Sequence, residues 1–333
     1  GVARPQEHIA AFRSLRTMTF VVANAPLTAA DRAAIRTFVA SRGYDLVWLP
    51  GISPTEVNLR NQLPAPVYYR AFTALLADPA GFVRSHAYDI RPSLDDRPFF
   101  FHYFRWRQTR EILRTLGQTW QPFGGSGYLV LVALLALATL LAIVLILAPL
   151  ALKRTAAASL APRSGRRRIL AYFFLLGLAF LFVEIPLAQR FILFVGQPVT
   201  ALAVVLFALL LFSGLGSLSA PRWPLRQALL ALVAVALLTP LALRGVFALA
   251  LGWPLTLRIA ASILSLAPLG LLMGVPFARG TALIAQTTPG LIPWAWAING
   301  SASVVSGVLA VMAALQWGFS VVLWLGAGAY ALA

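Results

Sequence analysis

From Tyr128 to Leu152 the chain runs 25 residues without a charged side chain. At a helical rise of 1.5 Å per residue such a run crosses the roughly 30 Å hydrocarbon layer of a bilayer with length to spare for tilt. Hydrocarbon offers the backbone no hydrogen bonds, so a spanning segment of this kind has to be a helix. The same test places further spans near 169–194, 199–218, 227–250, 256–276, 291–314 and, incompletely, 319–333, seven in all. Only 11% of the 333 residues are charged, against roughly 25% in soluble domains, which argues against a water-soluble globule.

The charge is unevenly placed. Residues 1–126 hold 15 basic and 9 acidic side chains, whereas residues 127–333 hold 12 basic ones and a single acid, Glu184. A net charge of +17 on a polar domain would suggest nucleic acid; arginines beside long apolar runs instead point to membrane topology and anionic lipid headgroups, with no nucleic acid as partner. Six basic residues lie between Lys153 and Arg168, and Arg222, Arg226 and Arg279 fall on the same side of the alternating loops. The positive-inside rule puts that side in the cytoplasm. A single crossing then leaves residues 1–126 outside, yet Arg105, Arg107, Arg110 and Arg114 nearly balance the first span, so the side of the polar part stays open. The chain has no cysteine, which removes disulfides and thiol chemistry, and His8, His86 and His102 lack the spacing of a metal site.

Within residues 1–98 the expected elements are a strand at Thr19–Asn24, a helix over Ala29–Arg42 opened by a Thr28-x-x-Asp31 capping box, and a strand at Tyr44–Leu49. Read as β-α-β, this is part of an open parallel sheet whose remaining strands lie upstream of Gly1, making the chain a piece of a longer protein. A further helix is expected near Pro66–Leu76. Residues 99–126 read as an aromatic and basic interfacial linker ending in a glycine hinge, and residues 127–333 as the membrane bundle.

Three groups carry candidate chemistry. Asp95 and Asp96, with Arg97, either hold a cation or amine or form a turn in which Asp95 caps and Arg97 bridges to it. Glu184, followed by Pro186, Gln189 and Arg190, either lines a polar cavity, binding a cation or relaying a proton, or pairs with Arg190 or another arginine to fix helix packing. Gly300, Ser303, Gly307, Ala310 and Ala314 recur on one helical face, where small residues at this spacing let another helix approach closely, with Asn299 hydrogen-bonding across helices; Ser213-Gly214-x-Gly216 reads as a packing site in the same way.

Four segments together resemble a family: Ser93-Leu-Asp-Asp-Arg-Pro-Phe-Phe-Phe-His-Tyr-Phe-Arg-Trp106, Phe182-Val-Glu-Ile-Pro-Leu-Ala-Gln-Arg-Phe-Ile-Leu-Phe194, Met273-Gly-Val-Pro-Phe277 and Pro293-Trp-Ala-Trp-Ala-Ile-Asn-Gly-Ser-Ala-Ser303. They are similar to those of bacterial multi-pass membrane proteins that fuse a spermidine-synthase-like domain to transmembrane helices. The resemblance implies a partial Rossmann-like α/β domain of the type that binds S-adenosylmethionine or its decarboxylated form. Nothing in residues 1–126 matches the glycine-rich cofactor loop or the amine-binding acids of soluble aminopropyltransferases. No catalytic residue carries over, no cofactor site is detectable in the chain, and the chain alone is expected to be inactive. A transporter centred on Glu184 and a non-catalytic anchor or subunit of a membrane complex are the other two readings.

Overall fold

The structure is a computed structural model and describes residues 3–115, 127–152 and 163–333. The chain divides into two compact units, Gly1–Arg91 and Pro92–Ala333.

The first unit is built on a three-stranded sheet of order β2-β1-β3, with β1 Ile9–Arg13, β2 Met18–Val22 and β3 Asp45–Trp48. Helix α1, Ala29–Ser41, connects β2 to β3 and opens with the expected capping box between Thr28 and Asp31. Two short helices follow, α2 Val67–Ala77 and α3 Pro79–Ser85. The parallel β-α-β reading needs correction. Strands β2 and β3 are not neighbours, because β1 lies between them and pairs antiparallel with both. These strands by themselves do not make a Rossmann sheet. The missed strand has the sequence Ile-Ala-Ala-Phe-Arg, with no polar and apolar alternation to announce it, since Ala10 through Arg13 are buried on both faces.

Asp45 ties this unit together. Its carboxylate, 2% exposed, accepts backbone N–H bonds from Leu59, Arg60 and Asn61 at 2.7–2.8 Å and lies 3.7 Å from the Arg13 guanidinium. Burial pushes the carboxyl pKa up, but the donated hydrogen bonds outweigh it and hold the group below the usual carboxylate range. A depressed acid stabilises the fold above its unfolded pKa of about 3.9, and that contribution drains away as the pH falls through the lower folded value.

The second unit is helical. After α4, Thr109–Thr115, six helical segments among the described residues are long and apolar enough to cross a membrane. The first is α5 Gly127–Leu141, continued through a π-turn at Ala142–Leu147 into α6 Ala148–Leu152. The others contain α7 Arg163–Val195, α8 Pro198–Ser219, α9 Leu225–Ala250, α10 Leu255–Thr287 and α11 Ile292–Trp317. The last helix, α12 Phe319–Leu332, has 14 residues and coincides with the incomplete span expected at 319–333. The six long segments match the six complete spans expected, and α10 extends well beyond the limit of 276 set by hydropathy.

Helix α7 packs against α8, α10, α11 and α12 and supplies much of the core, with Phe173, Val183, Leu187 and Phe191 fully buried. Helix α7 ends at Gly196, whose φ of +84° suits only glycine well, and Pro198 opens α8 at a position where a missing N–H costs nothing. Arg258 of α10 donates to the Phe194 carbonyl at 2.7 Å, filling one of the acceptors left open at the α7 C-terminus. Leu134, Leu137, Leu140 and Leu145 around α5 stay exposed, as lipid-facing side chains do. Residues 153–162, the first part of the basic loop, and the hinge at Gly124–Ser126 lie outside the described residues.

Asp45→Ala is expected to cost the first unit about 3 kcal/mol. Hydrogen exchange on the intact chain should show the Leu59, Arg60 and Asn61 amides losing roughly 100-fold of their protection. The wild-type chain should show the same loss progressively below about pH 4.

Candidate functional site

The polar residues singled out in the bundle segregate into two places. One lies at the C-terminal end of α7, the other between helices halfway along it.

At the first place, residues Leu94–Arg97 form a tight turn closed by paired backbone hydrogen bonds at 2.7 and 3.3 Å. The turn projects Asp96 onto α7 and α12. Oδ1 of Asp96 accepts from Nη2 of Arg190, from the Ser320 amide at 3.0 Å and from the Ser320 hydroxyl at 2.8 Å, while its backbone carbonyl accepts from the Phe319 amide at 2.8 Å. Arg190, 8% exposed, also donates to the Ser320 hydroxyl. Asp96 therefore both neutralises a buried guanidinium and caps the N-terminus of α12 with negative charge. Gly318 makes this approach possible: its φ is +87°, and a Cβ there would come within 2.7 Å of Asp96 Oδ2.

Asp95 is exposed and has no hydrogen-bond or ion-pair partner among the described residues. It lines a cavity of about 630 Å³ together with Asp96, Arg190 and Arg244, walled by Phe194 and Phe247. The adjacent aromatic run is anchored by Phe99, edge-on to Phe319 at 5.4 Å, and by Phe104, stacked on Tyr128 at 4.9 Å. Phe100 and Phe101 remain exposed.

The alternative pairing of Arg190 with Glu184 is corrected here, since Arg190 is taken by Asp96. Among the described residues Glu184 has no ion-pair partner; it is partly exposed and lines neither cavity. Gln189 is exposed on α7.

At the second place, α8 crosses α10 and α7 runs beside α11 at backbone contact. A Cβ on Gly216 would overlap the Leu271 carbonyl, one on Gly274 the Ser213 carbonyl, and one on Gly177 the Asn299 carbonyl. Asn299 donates to the Phe173 carbonyl at 3.1 Å, and the Ser303 hydroxyl lies 3.0 Å from the Asn299 carbonyl and 3.3 Å from that of Gly177. Not every small residue is used in this way. A Cβ on Gly214 or Gly300 would meet nothing within 4 Å, and one on Gly307 only Ile185 at 3.9 Å.

Between these crossings lies a cavity of about 490 Å³, reached by Ser213, Ser217, Asn299, Ser303 and Tyr330 and walled by Phe180 and Phe277. Sequence reading misses Gly318, Ser320 and Tyr330. A glycine directly after Trp317 is the one legible signal of a helix break; the rest needs the fold.

Comparison with known proteins returns no matching family model, no similar curated protein and no similar solved structure. Among the described residues no group of three or more His, Cys, Asp or Glu could hold a metal ion.

Asp96→Asn and Arg190→Met should each destabilise the detergent-solubilised protein by about 2–4 kcal/mol, because each leaves a polar partner unmatched. The double variant should lose at least about 1 kcal/mol less than the sum; additive melting shifts would mean the two side chains are not coupled. Gly216→Ala and Gly274→Ala should lower the melting temperature markedly, while Gly300→Ala stays within about 0.5 kcal/mol of wild type.

Proposed function

We propose that the chain is the membrane part of a multi-pass, spermidine-synthase-like protein of the bacterial inner membrane. In this reading a helical bundle carries one end of an α/β domain of the S-adenosylmethionine type. The observation that carries the proposal is the pairing of the four family-like segments inside the bundle. Asp96 of the first segment meets Arg190 of the second, and Met273 and Phe277 of the third line one cavity with Asn299 and Ser303 of the fourth. Segments far apart in sequence that share two interaction centres are what a common architecture requires.

Transfer of an aminopropyl or methyl group needs a nucleophile held beside the sulfonium carbon by carboxylates and deprotonated by a base. Asp96 is committed to Arg190 and Ser320, so it is not available to bind an amine. The proposal therefore assigns the cofactor loop and catalytic acids to an upstream part of the same protein and makes this chain inactive alone. The bundle anchors that domain in a membrane with anionic headgroups, with the Lys153–Arg168 side in the cytoplasm, and offers helix faces to further subunits of a membrane complex. Transport through Glu184 is the weaker reading, as that side chain lines neither cavity.

Equilibrium dialysis with radiolabelled S-adenosylmethionine and its decarboxylated form tests the proposal. A protein extended upstream should bind one of them and this chain neither; an extended protein that binds neither at millimolar ligand removes the transferase reading.

A further inference from the structure

The cavity between α7, α8, α10 and α11 has the chemistry of a ligand site rather than a packing gap. Its volume of about 490 Å³ lies within the range of small-molecule pockets, roughly 300–1,000 Å³. No charged side chain lines it. A charged ligand would thus be desolvated there without compensation, which excludes ions, polyamines and phosphate headgroups.

The polar groups that do line it are unevenly satisfied. Ser213 and Ser217 spend their hydroxyl protons on carbonyls one turn back, at 3.2 and 2.7 Å, and Ser303 spends its own on Asn299 or Gly177. Each keeps only acceptor capacity. Tyr330 is the exception: it is 2% exposed, it lines the cavity, and its hydroxyl has no hydrogen-bond partner among the described residues. The ring is buried while the hydroxyl reaches the cavity unpaired, so the phenol keeps a proton to donate to a molecule bound there.

The route in is also visible. Leu210 and Gly214 line the cavity and are at the same time exposed on the outer face of α8, within a helix long and apolar enough to span. The opening therefore faces lipid, and whatever enters arrives dissolved in the bilayer.

We propose that this cavity binds a neutral, lipid-soluble molecule whose head carries a carbonyl oxygen, which accepts the hydrogen bond of Tyr330. The aromatic walls at Phe180 and Phe277 suit a flat apolar head, and the acceptor oxygens of the serines favour one that also bears a hydroxyl. The assignment is independent of the transferase reading, because it uses only the bundle's own side chains.

The test is photo-crosslinking of the intact chain in bilayer nanodiscs. Two probes carry the same diazirine-alkyne reporter, a short-tailed prenylated benzoquinone and a phosphatidylglycerol. The quinone probe is expected to label peptides containing Ser213, Asn299 or Tyr330, and the anionic lipid is not. Tyr330→Phe, which removes one oxygen and disturbs no existing hydrogen bond, should reduce labelling at these peptides about tenfold, the loss of one well-made hydrogen bond. Gly214→Phe, at a position where an added Cβ meets nothing within 4 Å, should fill the mouth and abolish it while the melting temperature holds. Equal labelling by both probes, no quinone labelling of these peptides, or labelling unchanged in both variants would overturn the proposal.

Discussion

A guanidinium cannot stay inside an apolar helical bundle unless an anion reaches it. Arg190 sits in α7 with 8% of its surface exposed, and its charge is met by Asp96, which lies 94 residues earlier in the chain. Desolvating such a pair costs several kcal/mol per ion, and close geometry with extra hydrogen bonds is what offsets it. Ser320 supplies those bonds through both its amide and its hydroxyl. One carboxylate therefore settles three things together: the path of the segment after Pro92, the end of α7, and the start of α12.

The remaining polarity of the bundle follows the same logic at lower cost. Serine and threonine hydroxyls return their protons to carbonyls one turn back, as Thr239 and Ser262 do at 2.8 and 2.7 Å. Tyr172 reaches across to the Pro276 carbonyl at 2.6 Å, joining two helices whose order along the chain says nothing about their contact. Exceptions remain among the described residues: Ser301 Oγ and the Nε atoms of Arg258 and Arg279 are buried without a hydrogen-bond partner, and the Tyr330 hydroxyl has none where it lines the cavity. The glycines that bring α8 onto α10 at backbone distance are spaced along the helices, so the close crossings and the cavity between them arise from one pattern of small residues.

How far the fold is legible depends on the range of the signal. The capping box at Thr28 and Asp31, the helix it opens and the apolar spans are local, set by a few neighbouring side chains or by a run of composition, and the structure places them where the residues indicate. The sheet is misread from sequence because β1 carries alanines and no alternation; its strand state comes from pairing with β2 and β3 on both sides. The apolar run at Phe319–Leu332 is legible as a helix, but that it packs on α7 and α9 is not, since composition says nothing of neighbours. Asp96 and Arg190 are each visible as candidates, yet sequence proximity suggests Glu184 as the partner.

The sequence by itself determined that most of this chain lies in hydrocarbon as helices, because backbone polar groups have no other partner there and the uncharged runs have the length to cross. Only the tertiary structure decided which charges meet and which small residues touch. Those outcomes depend on side chains brought together across tens or hundreds of residues, and neither periodicity nor composition carries information at that distance.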